Sequence, residues 1–407
     1  MKRLTWTYAL ALWITLSACQ TEAPQEPQDQ AQWMVDNAQR YLTDRAWRRQ
    51  HLETSLWRPE LPYARKRLDS YGLERGGWDK LQTIAPTVAP VRADGHPSDV
   101  HNDGQNLLPQ QLPTTIEGWR ALGKEVFWKM PMRRDAYMEW IAQRPELWDD
   151  VGLQTDQDGN IRGLTRFEDA RGNQRVGLTC GICHGDNGVA GKAARQLDLG
   201  HARALFSQAL GNTPGAFEDW GPGRVDVTSD SVDDPLTIKN LWGVPHQSHI
   251  NTSGSIQLHS PAALAVRFET QFIVGHAMEA RPNRALMWAL AIYIVTLDRP
   301  QTEPQTDTPG ADIFQARCAG CHNPQRGYSG DLVNAEALTS SQQSARSPLR
   351  GTGFYKTPSL LGISSGGPYL HDGSQPTLGD LLDSGHPFGQ PLPEDDKHTL
   401  LQFLQTL

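Results

Sequence analysis

Apolar residues along this chain recur at helical spacing more often than in the alternation of strands. Ile116, Trp119, Leu122, Val126 and Phe127 lie three and four apart in TIEGWRALGKEVFW, the stripe of one helix face. Ala285 to Leu297 (ALMWALAIYIVTL) is apolar all round. It falls short of the about 20 residues a membrane-spanning helix needs, so a buried core helix is expected. The run Gly310-Ala-Asp-Ile-Phe-Gln-Ala-Arg leads into Cys318 much as the first helix precedes Cys180. Near the end, Pro393-Glu-Asp-Asp opens a helix carrying Leu400, Leu401, Phe403, Leu404 and Leu407, with proline and acids where a first turn favours them. Residues 32–84 are also mainly helical in pattern and rich in Trp, Arg and Tyr. Trp33, Trp47, Trp57 and Trp78 are expected to pack against the rest of the chain. The fold class predicted is mainly α.

Polar, proline-rich stretches punctuate this pattern. Lys2 and Arg3 precede an apolar run from Tyr8 to Leu16, and Leu16-Ser17-Ala18 supplies a small-residue cleavage site, as in a secretory leader. QTEAPQEPQDQA (20–31) reads as a tether, and RPQTEPQTDTPG (299–310) as a linker. A third stretch, 85–103, is rich in Pro, Asp and His and divides an N-terminal block from the first domain. The expected organisation is a leader (1–18), a tether (19–31), a helical N-terminal extension (32–115), a first domain with insertions (116–300), a linker (301–310) and a second domain (311–407). The formal net charge of −8 argues against nucleic acid and against docking on anionic lipid, and permits a basic partner.

Two pentapeptides carry the chemistry: Cys180-Gly-Ile-Cys183-His184 and Cys318-Ala-Gly-Cys321-His322. Cys-x-x-Cys-His reads as a covalent c-type haem attachment site. Both thiols meet one porphyrin edge while the adjacent imidazole turns beneath the iron, so two covalently bound haems are expected, with His184 and His322 as proximal ligands. A zinc site joining both pairs would leave the two trailing histidines unexplained. A thioredoxin-like pair should open a helix after a strand, and neither motif follows a run of β-branched residues. Four of the five cysteines are thereby used, and the fifth is Cys19.

Leu16-Ser-Ala-Cys19 resembles a bacterial lipobox, which implies cleavage before Cys19 and lipid on its thiol. Gln20 stands where Asp would mark inner-membrane retention, so the pattern implies a periplasmic protein anchored in the outer membrane of a Gram-negative bacterium. A plain leader with an incidental cysteine is the alternative. A helix before the haem motif and another closing the domain resembles a class I cytochrome c domain, in which the two terminal helices cross and the haem lies in the cleft. Two such domains are expected, one enlarged by roughly fifty residues between Trp128 and Cys180.

Gly123-Lys-Glu-Val-Phe-Trp, Tyr355-Lys-Thr-Pro-Ser-Leu-Leu-Gly, Gly367-Pro-Tyr-Leu-His371-Asp-Gly-Ser and Thr377-Leu-Gly-Asp-Leu-Leu are together similar to bacterial dihaem cytochrome c peroxidases. The resemblance covers roughly 120–407 and extends to related dihaem enzymes that oxidise a protein-bound cofactor precursor and to rubber oxygenases. Trp220-Gly-Pro-Gly-Arg224-Val-Asp226 looks like a segment of the last group, though a tight turn explains its glycines equally. The resemblance implies one electron-carrying haem and one that meets peroxide or dioxygen, with a small cytochrome or cupredoxin as redox partner.

The family's electron-carrying haem usually has a distal Met, yet no Met follows Met287. The family position falls at Gly385-His386, making His386 the candidate sixth ligand and His371 the second choice. A structural hydrogen bond is the alternative role for His371. For the first haem the family's resting ligand position corresponds to His201, with His246, His249, His259 and His276 competing. Glu269 and Glu279 lie where an acid/base would stand, and a solvated helix face explains both equally. The functions left open are a pure dihaem electron carrier and a peroxidase- or oxygenase-like enzyme.

Overall fold

The computed structural model describes residues 27–70, 80–92, 99–226, 233–299 and 304–407. The leader, Cys19 and Trp78 lie outside these residues. Thirteen helices are assigned in chain order: α1 (Pro27–Thr43), α2 (Arg45–Ser55), α3 (Pro62–Ser70), α4 (Val100–Asp103), α5 (Ile116–Lys129), α6 (Ala136–Ile141), α7 (Cys180–His184), α8 (Leu199–Ala209), α9 (Pro261–Gly275), α10 (Arg284–Val295), α11 (Pro309–Arg317), α12 (Leu378–Asp383) and α13 (Glu394–Leu404).

The apolar run at 285–297 forms α10, in which every residue from Ala285 to Val295 is buried. A helix that is hydrophobic all round must be enclosed on all sides, and α1, α5 and α9 enclose it. α1 is fixed to it by Trp288 Nε1, which donates to the Met34 carbonyl at 3.1 Å, and by Tyr41, whose ring stacks on Trp288 at 4.5 Å. The extension is therefore part of the first core. It begins earlier than expected, because residues 27–31, read as tether, belong to α1. No helix among the described residues is long and apolar enough to cross a membrane.

The stretch 85–103, read as a divider, instead enters a sheet. β1 (Gln82–Thr83) pairs in parallel with Ala280–Arg281. β2 (Thr87–Arg92), β3 (Gln105–Asn106), β4 (Arg133–Arg134), β5 (Asn160–Glu168) and β6 (Gln174–Leu178) form an antiparallel sheet in the order β3-β2-β5-β6-β4. The register places Leu164 opposite Leu178 and Val88 opposite Phe167. The inserted residues between Trp128 and Cys180 thus supply most of a sheet, which the helical reading did not anticipate.

Two helix crossings repeat one local design. At Gly123 on α5 a Cβ would collide with the Ala289 carbonyl and press on the Tyr293 Cβ of α10. At Gly310 on α11 a Cβ would collide with the Thr399 carbonyl and press on the Phe403 Cβ of α13. In each case the residue four further along the first helix is a buried Phe, Phe127 or Phe314. Phe127 meets Tyr293 at 5.6 Å, and Phe314 meets Phe403 at 5.3 Å. Only glycine lets the backbones approach this closely.

Residues 223–256 pack against 327–373 across the boundary between the two crossings. Thr237 donates its amide to the His371 carbonyl at 2.9 Å and its hydroxyl to the Leu370 carbonyl at 2.7 Å. Arg350 pairs with the buried Asp226 and Asp234. A side chain at Gly223 would press on Pro368, so the Trp220–Asp226 turn also lies against residues 327–373.

Candidate functional site

Strand β6 delivers the first motif. It ends at Leu178, Thr179 caps α7 by accepting the Gly181 amide at 3.1 Å, and the motif is α7 itself. Two close approaches seat it. Gly163 on β5, at φ +78°, would strike Ile182 with any side chain, and the Trp128 ring lies flush on Gly181 and Gly185. A strand followed by a helix-initiating Cys-x-x-Cys is the context expected of a thioredoxin-like pair, so the context of this motif does not set that reading aside.

The thiols supply a better discriminator. A redox-active pair keeps a depressed pKa, whereas burial, with Cys183 adding to it, pushes Cys180 up to about 12, and burial pushes Cys183 to about 12. Neither forms a disulfide, nor do Cys318 and Cys321. Among the described residues no three His, Cys, Asp or Glu side chains converge as a metal-ion site, so the two pairs do not combine around one zinc.

His184 Nδ1 donates to the Lys239 carbonyl at 2.9 Å. A carbonyl can only accept, so Nδ1 carries the proton and Nε2 keeps its lone pair. Burial holds the ring down at about 4, and it is neutral at pH 7. Fixing one imidazole nitrogen in this way leaves the other oriented for a metal. Cys180, Cys183 and His184 each retain some accessible surface.

The second motif repeats the arrangement on a different scaffold. Cys318 ends α11, and the amides of Cys321 and His322 donate to its carbonyl at 3.0 and 2.8 Å. His322 Nδ1 donates to the Tyr328 carbonyl at 3.1 Å, and burial lowers its pKa; the Pro358 carbonyl faces the same ring. Burial pushes the Cys318 thiol up to about 11, with Cys321 contributing.

His386 comes close enough to His322 that the two rings interact electrostatically. Burial first, then the charge of His322, hold His386 at about 4. His371, the second choice, is engaged elsewhere: its Nε2 meets Tyr355 Oη at 3.0 Å and the rings stack at 4.2 Å, a structural role.

His201 is not brought to His184 by any interaction among the described residues. Its amide is capped by Asp198 at 2.8 Å and its side chain is half-buried on α8. Three of its competitors have other partners. His249 meets Ser248 Oγ at 3.0 Å, His259 meets Thr54 Oγ1 at 2.9 Å, and His276 donates to the Pro131 carbonyl at 2.7 Å. His246 gives its carbonyl to Ser329 Oγ and packs on Gly327, beside the loop that holds His322. Glu269 is fully buried, bonded to Tyr41 at 3.0 Å and Arg284 at 3.1 Å, so the solvated-face reading is wrong for it. Glu279 is tied to Arg134 and Arg171.

Sequence reasoning missed Lys239, Tyr328, Gly163 and Trp128. The first two act through backbone carbonyls, which every residue possesses, so no side-chain signal could reveal them.

No family model and no curated protein matches this chain. Among solved structures, hydrazine synthase from Kuenenia stuttgartiensis is similar over 74% of this chain and 95% of its own, at 15% identity and a TM-score of 0.38. At that score the likeness is too distant to define a fold.

Proposed function

We propose that this chain is an exported dihaem c-type cytochrome that passes electrons through two covalently bound haems, each in a cytochrome c-like domain. One observation carries the reading: both Cys-x-x-Cys-His motifs fix the histidine Nδ1 on a backbone carbonyl, and each lies beside the same glycine-on-aromatic helix crossing. Cys180 and Cys183 would hold one haem and Cys318 and Cys321 the other, with His184 and His322 beneath the irons. Each haem, when bound, supplies a one-electron centre whose potential its axial ligands tune. The residues fit that group. The buried thiols stay protonated and can add across vinyl groups, the sulfur bonding one carbon and the proton going to the other. His386 is the proposed sixth ligand of the second haem. The lipobox resemblance supports a periplasmic protein held by a lipid at Cys19.

A second reading adds peroxide reduction at the first haem. It is favoured by the inequality of the two sites, since the charge of His322 acts on His386 whereas His201 has no described link to His184. Hydrogen peroxide takes up two electrons and two protons to give two waters, and a reduced small cytochrome or cupredoxin would supply the electrons.

Expression with a cytochrome c maturation system, followed by intact mass and a pyridine haemochrome assay, should give two covalent haems. Conversion of both motifs to Ala-x-x-Ala-His should give none. Electron paramagnetic resonance of the oxidised and half-reduced protein then separates the readings. Two low-spin signals in the oxidised state, and one low-spin with no high-spin signal on half reduction, would leave only the carrier, whereas a high-spin signal on half reduction, with peroxide turnover, supports the enzyme.

A further inference from the structure

Three cations gather where the two motif-bearing regions meet, and every oxygen they bond is neutral. Lys239 Nζ donates to the Leu370 carbonyl at 2.6 Å and Lys356 Nζ to Gln247 Oε1 at 2.7 Å. Arg195 donates to the carbonyls of Ile238 at 2.8 Å and Pro368 at 3.4 Å, while its Nε is buried without a hydrogen bond. Among the described residues none of the three forms an ion pair. Two acids act on the cluster from beyond ion-pair distance, Asp186 on Arg195 and Asp372 on Lys239; Asp186 pairs with Lys192 at 2.8 Å, and Asp372 accepts the Ser374 amide at 3.1 Å.

This arrangement is costly as it stands. An enclosed ammonium without an ion-pair partner costs several kcal/mol, so such groups are favoured where an anion meets them. All three side chains retain some accessible surface. Their position is informative, because the Lys239 carbonyl also holds the His184 ring.

We propose that Lys239, Lys356 and Arg195 are the counter-ions of haem propionates, gathering the carboxylate edges of the porphyrins at the boundary between the two domains. The proposal rests on the dihaem reading. Thioether bonds fix the vinyl edge of each porphyrin, and the propionates at another edge are the anions such a site would hold. Lys239 and Lys356 are thus positioning residues that set how easily a haem is reduced. The competing role for Lys239 is a plain cap on the Leu370 carbonyl.

The full-length protein and its Lys239→Met, Lys356→Met and Lys239→Arg variants test this in two steps. Haem stoichiometry is read first, and a chain without covalent haem removes the dihaem reading and this proposal with it. With two haems present, spectroelectrochemical titration gives both midpoint potentials. An unpaired propionate favours the ferric state, so either Met variant should make one haem about tenfold harder to reduce, a downward shift of about 59 mV for a one-electron couple. Lys239→Arg should restore the parent value. Two haems with unmoved potentials in Lys239→Met and Lys356→Met would overturn the assignment and leave a carbonyl cap. Should Lys239→Met fail to fold, Lys356→Met decides alone.

Discussion

The His386 pKa is lowered by burial first and then by the charge of His322. If both imidazoles bind one iron, His386→Ala should keep two haems but turn the His322-ligated haem high-spin when ferric, as read by electron paramagnetic resonance. A spectrum that stays low-spin would reassign the sixth ligand. His276 allows a test that does not involve haem. Buried and stacked on Phe272 at 4.0 Å, it is held at about 4 against an ordinary 6.5, chiefly by burial. Its folded pKa is depressed, so its stabilising contribution is full above pH 6.5 and is lost as pH falls toward 4. The contribution is about 3 kcal/mol by linkage. His276→Gln keeps a donor for the Pro131 carbonyl but cannot titrate, so urea denaturation should show a shallower decline between pH 6.5 and 4 than in the parent.

Among the elements, the pair of crossings matters most. Gly310→Ala puts a methyl group against the Thr399 carbonyl, and Gly123→Ala does the same at Ala289. Overpacking of this kind costs about 1–3 kcal/mol or more. Thermal unfolding should therefore fall in both, with Gly310→Ala also lowering haem yield at Cys318 and Cys321. A wild-type melting temperature in either variant would mean the helices can slide apart freely. These helices were legible in the chain because α5, α10, α11 and α13 carry unbroken apolar stripes. The sheet was not, and Gly163 shows why. Ile161, Thr165 and Phe167 alternate along β5, but the position between them that would complete the alternation is a glycine. That glycine is required by the approach of Ile182, so the residue that seats the first motif also conceals the strand. The two pentapeptides can be read directly from the chain, and His386 enters as a candidate only through the resemblance. The carbonyls that orient His184 and His322 were not, because backbone acceptors leave no trace in residue identity.

For the whole molecule, the boundary between the two regions is held by buried charge as well as backbone hydrogen bonds. Asp226 and Asp234 are 4% and 3% exposed, and Arg350 spans both. Arg350→Met deprives two buried carboxylates of this cation, a loss of about 3–5 kcal/mol. Urea denaturation should show that loss, and an intermediate with one domain unfolded should become populated. A variant as stable as the parent would show that water already reaches the pair.

Lys239 joins the two halves in a way that bears on maturation. Its carbonyl steadies the His184 ring, while its side chain is bolted to Leu370 in the second domain. If the chain is exported N-terminus first and carries haem as proposed, Cys180 would reach the attachment machinery well before Leu370. A haem joined early at the first site would then find the final bearing of its imidazole only when the region around Leu370 docks. In that reading the optical spectrum of the first haem is a clock for the folding of residues 304–407, and Cys318→Ala/Cys321→Ala should stop that clock by leaving the first haem with an immature spectrum.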